Sequence, residues 1–258
     1  MKQLLFIFLL TVISAAQAQV TPDMMAYDKG YEEVVRKNGV RISYVVVDSA
    51  DEIFFPGDTL FTTWYNDKGQ WIKDQFRVSF MEDGPFINEY YYDDEGHMIR
   101  TVSNADMYPM ETGFVYQKGQ LVTGYSGGAE ARRWEFKTEK GLVTERLGYS
   151  GTMFFEEGND ADTGTVKWEL SDKNVYTYNK KGQLISDTPY YYGEESGTTK
   201  YYYTKTGRIA RVETVFVGDS EAGMYTEYQY DDHDLMNRVT SVTMSGDVTI
   251  FEIVNVRE

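Results

Sequence analysis

The strongest constraint in this sequence is a unit that recurs along it: aromatic, any residue, aromatic, a short polar turn, glycine, any residue, apolar. The clearest copies are Tyr90/Tyr92 with Gly96 and Met98, Tyr176/Tyr178 with Gly182 and Leu184, and Tyr201/Tyr203 with Gly207 and Ile209. Looser copies are Tyr65 with Gly69 and Trp71, Phe114/Tyr116 with Gly119 and Leu121, and Trp134/Phe136 with Gly141 and Val143. In a last copy, Tyr228/Tyr230, Asp234 stands where the glycine would be. Internal repeats decide architecture before any single motif does. Residues two apart share one face of a strand, so each aromatic doublet predicts a strand with an aromatic face. The polar stretches ending at Gly69, Gly96 and Gly182 predict a type I turn closed by a residue at positive φ, which glycine adopts without a side-chain clash. Each unit therefore reads as an antiparallel β-hairpin.

The anchors at 69, 96, 119, 141, 182, 207 and 234 are evenly spaced except between 141 and 182, a gap wide enough for one degenerate unit around "FFEEGNDADTG". An earlier copy is expected at "VVRKNGVRI" with Gly39. A helical pattern is confined to Asp23 to Lys37, where Gly30 interrupts it and leaves room for a short helix. The rest is rich in Tyr, Thr and Val, which favour strands. The expected fold is all-β: tandem antiparallel hairpins forming one long, twisted and curled sheet, a partial barrel or roll, because long open sheets curl or split. Residues 19–258 read as one repeat domain with an irregular lead to about residue 59, and the charged end of "FEIVNVRE" suits an edge strand.

The units "YTYNKKGQLI", "YYYTKTGRIARV" and "YYYDDEGHMIRTV" resemble the YD repeats of Rhs-like proteins, in particular short secreted versions from Bacteroidetes-like bacteria. The resemblance covers roughly residues 60 to 245. MORN-like repeats are a second resemblance, with a shorter period. In large Rhs relatives such repeats build a shell around a toxin. The resemblance implies a β fold and an extracytoplasmic setting, and it implies no catalytic residues.

Residues 1–18 combine Lys2, an apolar run from Leu4 to Ile13 and the small-residue end Ala16-Gln17-Ala18, the three parts of a secretory signal peptide. The run is about half of the roughly 20 residues a spanning helix needs, and no transmembrane segment is expected after cleavage. The chain is expected to be exported, periplasmic or extracellular. There is no Cys, so burial rather than disulfides must hold the fold together. The formal charge is −16, and losing Lys2 with the leader makes it −17. Such a surface repels phosphate backbones, so nucleic acid is not an expected partner.

Little in the chain points to catalysis. Adjacent acids such as Asp93/Asp94 and Glu194/Glu195 lie in turn-like stretches, whereas glycoside hydrolysis needs two carboxyls facing one another across a cleft. The two histidines, His97 and His233, stand beside turns without a ligand set around them, and no cofactor is expected. Asp160 and Asp162 offer a weak calcium pattern that lacks the full ligand order. Aromatics make up 16% of the chain. Most are expected in the core, while Trp64, Trp71, Tyr91 and Tyr202 are the candidates for a ligand-binding face. The expected function is a non-enzymatic binding or scaffold module of the cell envelope that presents an aromatic surface to a glycan or an envelope protein. The alternatives are a glycan-active enzyme using paired carboxylates and a purely structural envelope protein.

Overall fold

A computed structural model describes residues 30–49, 56–77, 85–104, 110–127, 132–154, 165–218 and 223–257. The leader, the segment from Asp23 to Lys29, and Asp160 with Asp162 lie outside the described residues. A short helix, α1 (Tyr31–Lys37), precedes strand β1 (Val40–Ser49). Hairpins follow: β2 (Thr59–Tyr65) with β3 (Trp71–Phe76), β4 (Phe86–Tyr92) with β5 (Met98–Ser103), and β6 (Met110–Gln117) with β7 (Gln120–Ser126). Next come β8 (Arg132–Glu139) with β9 (Leu142–Phe154) and β10 (Thr165–Tyr178) with β11 (Leu184–Tyr191), which carries the two-residue β12 (Glu194–Glu195). The last are β13 (Gly197–Tyr203) with β14 (Ile209–Phe216), β15 (Met224–Tyr230) with β16 (Met236–Val242), and β17 (Val248–Arg257).

The sheet does more than curl. Each strand pairs antiparallel with its chain neighbours, and β1 pairs with both β2 and β17, so the meander closes into a barrel. Setting aside the short β12, sixteen of the 17 strands among the described residues form the wall. Closure removes the edges that an open sheet must protect. "FEIVNVRE" is accordingly no edge: β17 has a partner on each side. Three further expectations are corrected. Gly39 ends α1 with φ of 62° instead of turning a hairpin, and β1, within the supposed irregular lead, is a wall strand. The wide gap before Gly182 holds two long strands, β9 and β10, that pair with each other, while residues 155–164 of "FFEEGNDADTG" lie outside the described residues.

All the sequence anchors turn hairpins at one rim. In the longer turns a side-chain oxygen at the first position caps the loop: Asn66 Oδ1 accepts from the N–H groups of Lys68 and Gln70, and Asn179 Oδ1 from those of Lys181 and Gln183. The register slips by one residue just inside these turns, which is the bulge that matches a hairpin to the twist of its strands. The anchors at 119 and 141 use tighter turns, Lys118-Gly119 and Lys140-Gly141, with both residues at positive φ.

Neighbouring units lock together through two recurring contacts. The second tyrosine of a unit donates its hydroxyl to a backbone carbonyl of the preceding unit: Tyr178 to Val143, Tyr203 to Leu184 and Tyr230 to Ile209, at 2.7 to 2.8 Å. The residue after the glycine reaches the next turn, as when Gln70 and Gln183 donate to the carbonyls of Gly96 and Gly207. The aromatic faces point inward and form the core, in clusters around Tyr90, Phe114 and Trp134 and around Tyr176, Leu184 and Tyr201. α1 covers the rim at the seam. Its Val34 and Val35 pack with Val40, Tyr65 and Leu235, Asn38 donates to the carbonyl of His233, and Tyr31 accepts from the N–H of Met236.

Candidate functional site

The period-two rule that sends Tyr90 and Tyr92 inward sends Tyr91 outward, and the outer wall is where side chains are free to meet a ligand. Tyr91 is 37% exposed, lies under Arg100 with the guanidinium 4.1 Å from its ring centre, and donates its hydroxyl to Glu89. Tyr202 is 44% exposed and donates to Glu213, an acceptor that holds its phenol above the ordinary tyrosine range. Beside it Arg211 covers Tyr225 at 3.9 Å and reaches Glu213 and Glu227. Trp64 also faces outward, beneath Lys73. Trp71 does not join them. The bulge turns it inward onto the Tyr90 and Tyr65 clusters, so of the four aromatics chosen from sequence it is the one in the core.

The wall also builds a platform that the repeat pattern does not announce. On β7 to β10, Tyr125, Arg133, Tyr149 and Leu170 form one outward row by register. Tyr125 stands directly opposite Gly113, and Trp168 directly opposite Gly151. A Cβ on Gly113 would lie 2.3 Å from the Tyr125 ring, and one on Gly151 would lie 2.9 Å from Trp168. The two glycines therefore clear space for two rings to lie against the sheet, Tyr125 exposed and Trp168 half-buried. Between them Arg133 packs over Tyr149 at 5.0 Å and Trp168 at 5.5 Å and donates to Glu135, which also accepts from the Tyr149 hydroxyl. Partial desolvation and the Glu135 charge hold the Tyr149 phenol above its ordinary range, so it stays a donor. Three strand spacings of about 4.8 Å and a two-residue offset along β10 put Tyr125 and Trp168 roughly 16 Å from each other. A sequence signal for this platform exists: the string Gly-Tyr-Ser-Gly occurs twice, at 124–127 and 148–151, supplying Tyr125, Tyr149 and Gly151.

The inner wall holds polar groups too, and they are engaged with one another. Asp74 is buried and accepts from Tyr90 Oη at 2.5 Å and Asn88 Nδ2 at 2.8 Å; burial pushes its carboxyl up to about 6. Arg146 donates to Asn174, Asn174 donates to Asp187, and Arg146 lies 3.6 Å from Asp172. His97 stacks on Tyr116 and contacts Asp93, while His233 sits exposed in its turn. Among the described residues no group of three His, Asp or Glu is placed to hold a metal ion.

No family model matches the chain, and no curated protein does. Among solved structures it is similar to a porin-like protein from Bacteroides uniformis ATCC 8492, at a TM-score of 0.54 and 11% identity, over 85% of this chain and 97% of that one. A porin-like protein from Bacteroides vulgatus ATCC 8482 gives a TM-score of 0.40 at 10% identity, over 69% of this chain and 95% of the other. The TcdB2-TccC3-Cdc42 structure gives 0.30 at 14% identity, over 74% of this chain and 11% of the other. The first likeness is one of fold: both chains build β-barrels.

Proposed function

We propose that this chain is an exported, non-enzymatic binding module of the cell envelope, a YD-repeat barrel whose outer wall holds a glycan across the platform from Tyr125 to Trp168. The observation that carries the reading is the pair of rings laid flat on Gly113 and Gly151. Pyranose rings stack on such faces through their C–H edges, while Arg133, Glu135 and Tyr149 between them offer donors and an acceptor to hydroxyl groups. A span of roughly 16 Å suits a short run of sugar units rather than a single one. The chain's charge of −16 favours a neutral glycan over an anionic one.

The outer wall also bears on where the barrel works. A barrel in a bilayer turns an apolar band outward, and a Lys or Arg at its midplane costs about 2 to 4 kcal/mol. Here the ion pairs Arg133 with Glu135, Lys137 with Glu145, and Arg211 with Glu227 stand on that face, and the aromatic clusters stand inside. This distribution supports a barrel surrounded by water, in the periplasm or outside the cell. The test is calorimetric titration of neutral polysaccharide fragments into the mature chain. Binding should weaken by roughly tenfold in Tyr125→Ala and in Trp168→Ala, with the far-UV spectrum unchanged. Absence of binding across the panel, or equal binding by both variants, overturns the proposal, and turnover of any fragment favours a glycan-active enzyme.

A further inference from the structure

The β9–β10 hairpin is taller than the strands beside it. β11 ends at Tyr191, opposite Asp172, so from Thr165 to Ser171 strand β10 runs on past it with β9 as its partner among the described residues. Trp168 and Leu170 face outward on this projecting part, and Leu170 is 53% exposed. The chain turns back where β11 stops. Tyr192 donates its N–H to the Ser171 carbonyl at 3.1 Å, and Tyr192-Gly193 form a two-residue turn with Tyr191 opposite Glu194. A notch is left where β10 outruns β11, next to the Trp168 end of the platform. Tyr190 faces outward there, with Lys173 4.7 Å from its ring centre and Glu195 opposite it, and period two puts Tyr192 on the same outer side.

Tyr192 holds this place in an unfavourable conformation. Its φ is 49°, and Gly193 follows at 88°. Such turns favour Asn, Asp or Gly at the first position, because a Cβ in the left-handed region crowds the backbone. The matching turns at the other rim carry Lys118 and Lys140 there, whose charge belongs in water. Here the residue is aromatic, and at 87% it is the most exposed large apolar side chain among the described residues. Tyr91, Tyr149 and Tyr202 each anchor their hydroxyl on a glutamate, and Tyr192 makes no such bond among the described residues. Neither packing nor turn chemistry accounts for a tyrosine at this point, and strain retained at an exposed residue points to a function.

We propose that Tyr192 is a third ring of the glycan site, a clamp at the notch for a chain that runs off the Trp168 end of the platform. The inference rests on the glycan reading of that platform. From Tyr125 on β7 to Tyr192 at the end of β11 there are four strand spacings, roughly 19 Å at about 4.8 Å each. A short fragment seated on Tyr125 does not reach the clamp and a longer one does, so Tyr192 selects for chain length. Glu195 beside it offers a carboxylate acceptor to a sugar hydroxyl.

The test takes the neutral polysaccharide that binds the mature chain best and titrates its fragments, from disaccharide to hexasaccharide, into the wild type and Tyr192→Asn. Asparagine suits the turn, so the denaturation midpoint should hold or rise. Hexasaccharide binding should nevertheless weaken by roughly tenfold, while disaccharide binding stays the same. Tyr192→Phe keeps the ring and should bind as the wild type does. If Trp168→Ala weakens binding and Tyr192→Asn weakens it for no fragment, the clamp is overturned and the platform stands. Equal weakening of short and long fragments by Tyr192→Asn also overturns it, because Tyr192 would then belong to the platform rather than to its extension. Absence of binding across the whole panel overturns both readings.

Discussion

Tyr90 and Tyr91 are neighbours in the chain and differ in almost everything else. Tyr90 points into the barrel, is 5% exposed, and gives its hydroxyl to a buried carboxyl; its own pKa is driven well above the ordinary value by burial and then by the Asp74 charge. Tyr91 points out, lies under Arg100, and gives its hydroxyl to an exposed glutamate. The same side chain serves the inner wall as packing volume and the outer wall as a flat surface with a polar rim. Stability should therefore reside in the inner tyrosines and recognition in the outer aromatics.

That division breaks most visibly under truncation. Tyr90→Ala removes a buried ring and leaves Asp74 without its short hydrogen bond, and should cost about 3 to 5 kcal/mol in chemical denaturation. Tyr91→Ala should cost less than about 1 kcal/mol. Equal losses would mean that the outer face contributes to the fold as much as the inner one does.

The next largest effect is a pH dependence confined to the inner wall. Burial raises the Asp74 carboxyl from 3.8 to about 6 in the folded chain, so the folded state holds a proton that the unfolded state releases. Stability is therefore greatest below about pH 4 as far as this group is concerned, falls as pH rises from about 4 to 6, and is level above that, by about 3 kcal/mol in all. Asp74→Asn keeps an acceptor for Asn88, turns an amide donor toward the Tyr90 oxygen in place of the acceptor, and should flatten the fall between pH 4 and 6. If the slope survives in the asparagine variant, another group causes it.

How much of this could be read from the residues differs between the two walls. The hairpin anchors and the inward doublets were legible because period-two spacing and glycine after a polar turn are local rules, satisfied within a few residues. Closure was not, because it depends on β1 finding β17 across the whole chain, a contact with no local signature. Trp71 misled for a related reason: the bulge after Gly69 adds a residue to β3 and reverses the facing that simple alternation predicts. The platform needs Gly113 opposite Tyr125 and Gly151 opposite Trp168, which are cross-strand relations that the repeated Gly-Tyr-Ser-Gly string hints at without fixing.

The rim extends the comparison to smaller effects. Gly69 and Gly141 both sit at φ near +80°, where any L side chain costs about 1 to 2 kcal/mol. At Gly141 an added Cβ meets nothing within 4 Å, whereas at Gly69 it would lie 2.1 Å from the Glu32 carbonyl oxygen, part of the backbone of α1. Gly141→Ala should cost only the backbone strain. Gly69→Ala should cost about 1 to 3 kcal/mol more, because α1 must lift from the rim and loosen Val34 and Val35 from Tyr65 and Leu235. Matching losses at the two glycines would show that α1 contributes little to closing the seam.

The smallest change should run the other way. Asp234 occupies the position that glycine holds in the longer turns, at φ of 60°. Its turn keeps the same cap, with Asp231 Oδ1 accepting from the N–H groups of His233 and Leu235, and Leu235 is fully buried behind it. Aspartate tolerates the left-handed region better than most residues and still pays part of its cost. Asp234→Gly relieves that strain, loses only a 3.4 Å contact from Thr206, and adds backbone freedom to the unfolded chain. The balance should be a gain of about 0.5 kcal/mol, read as a small rise in the denaturation midpoint at unchanged slope. A loss instead would mean that the Asp234 carboxylate contributes to the junction between the last two hairpin turns, and that the departure from glycine is part of how the barrel is closed.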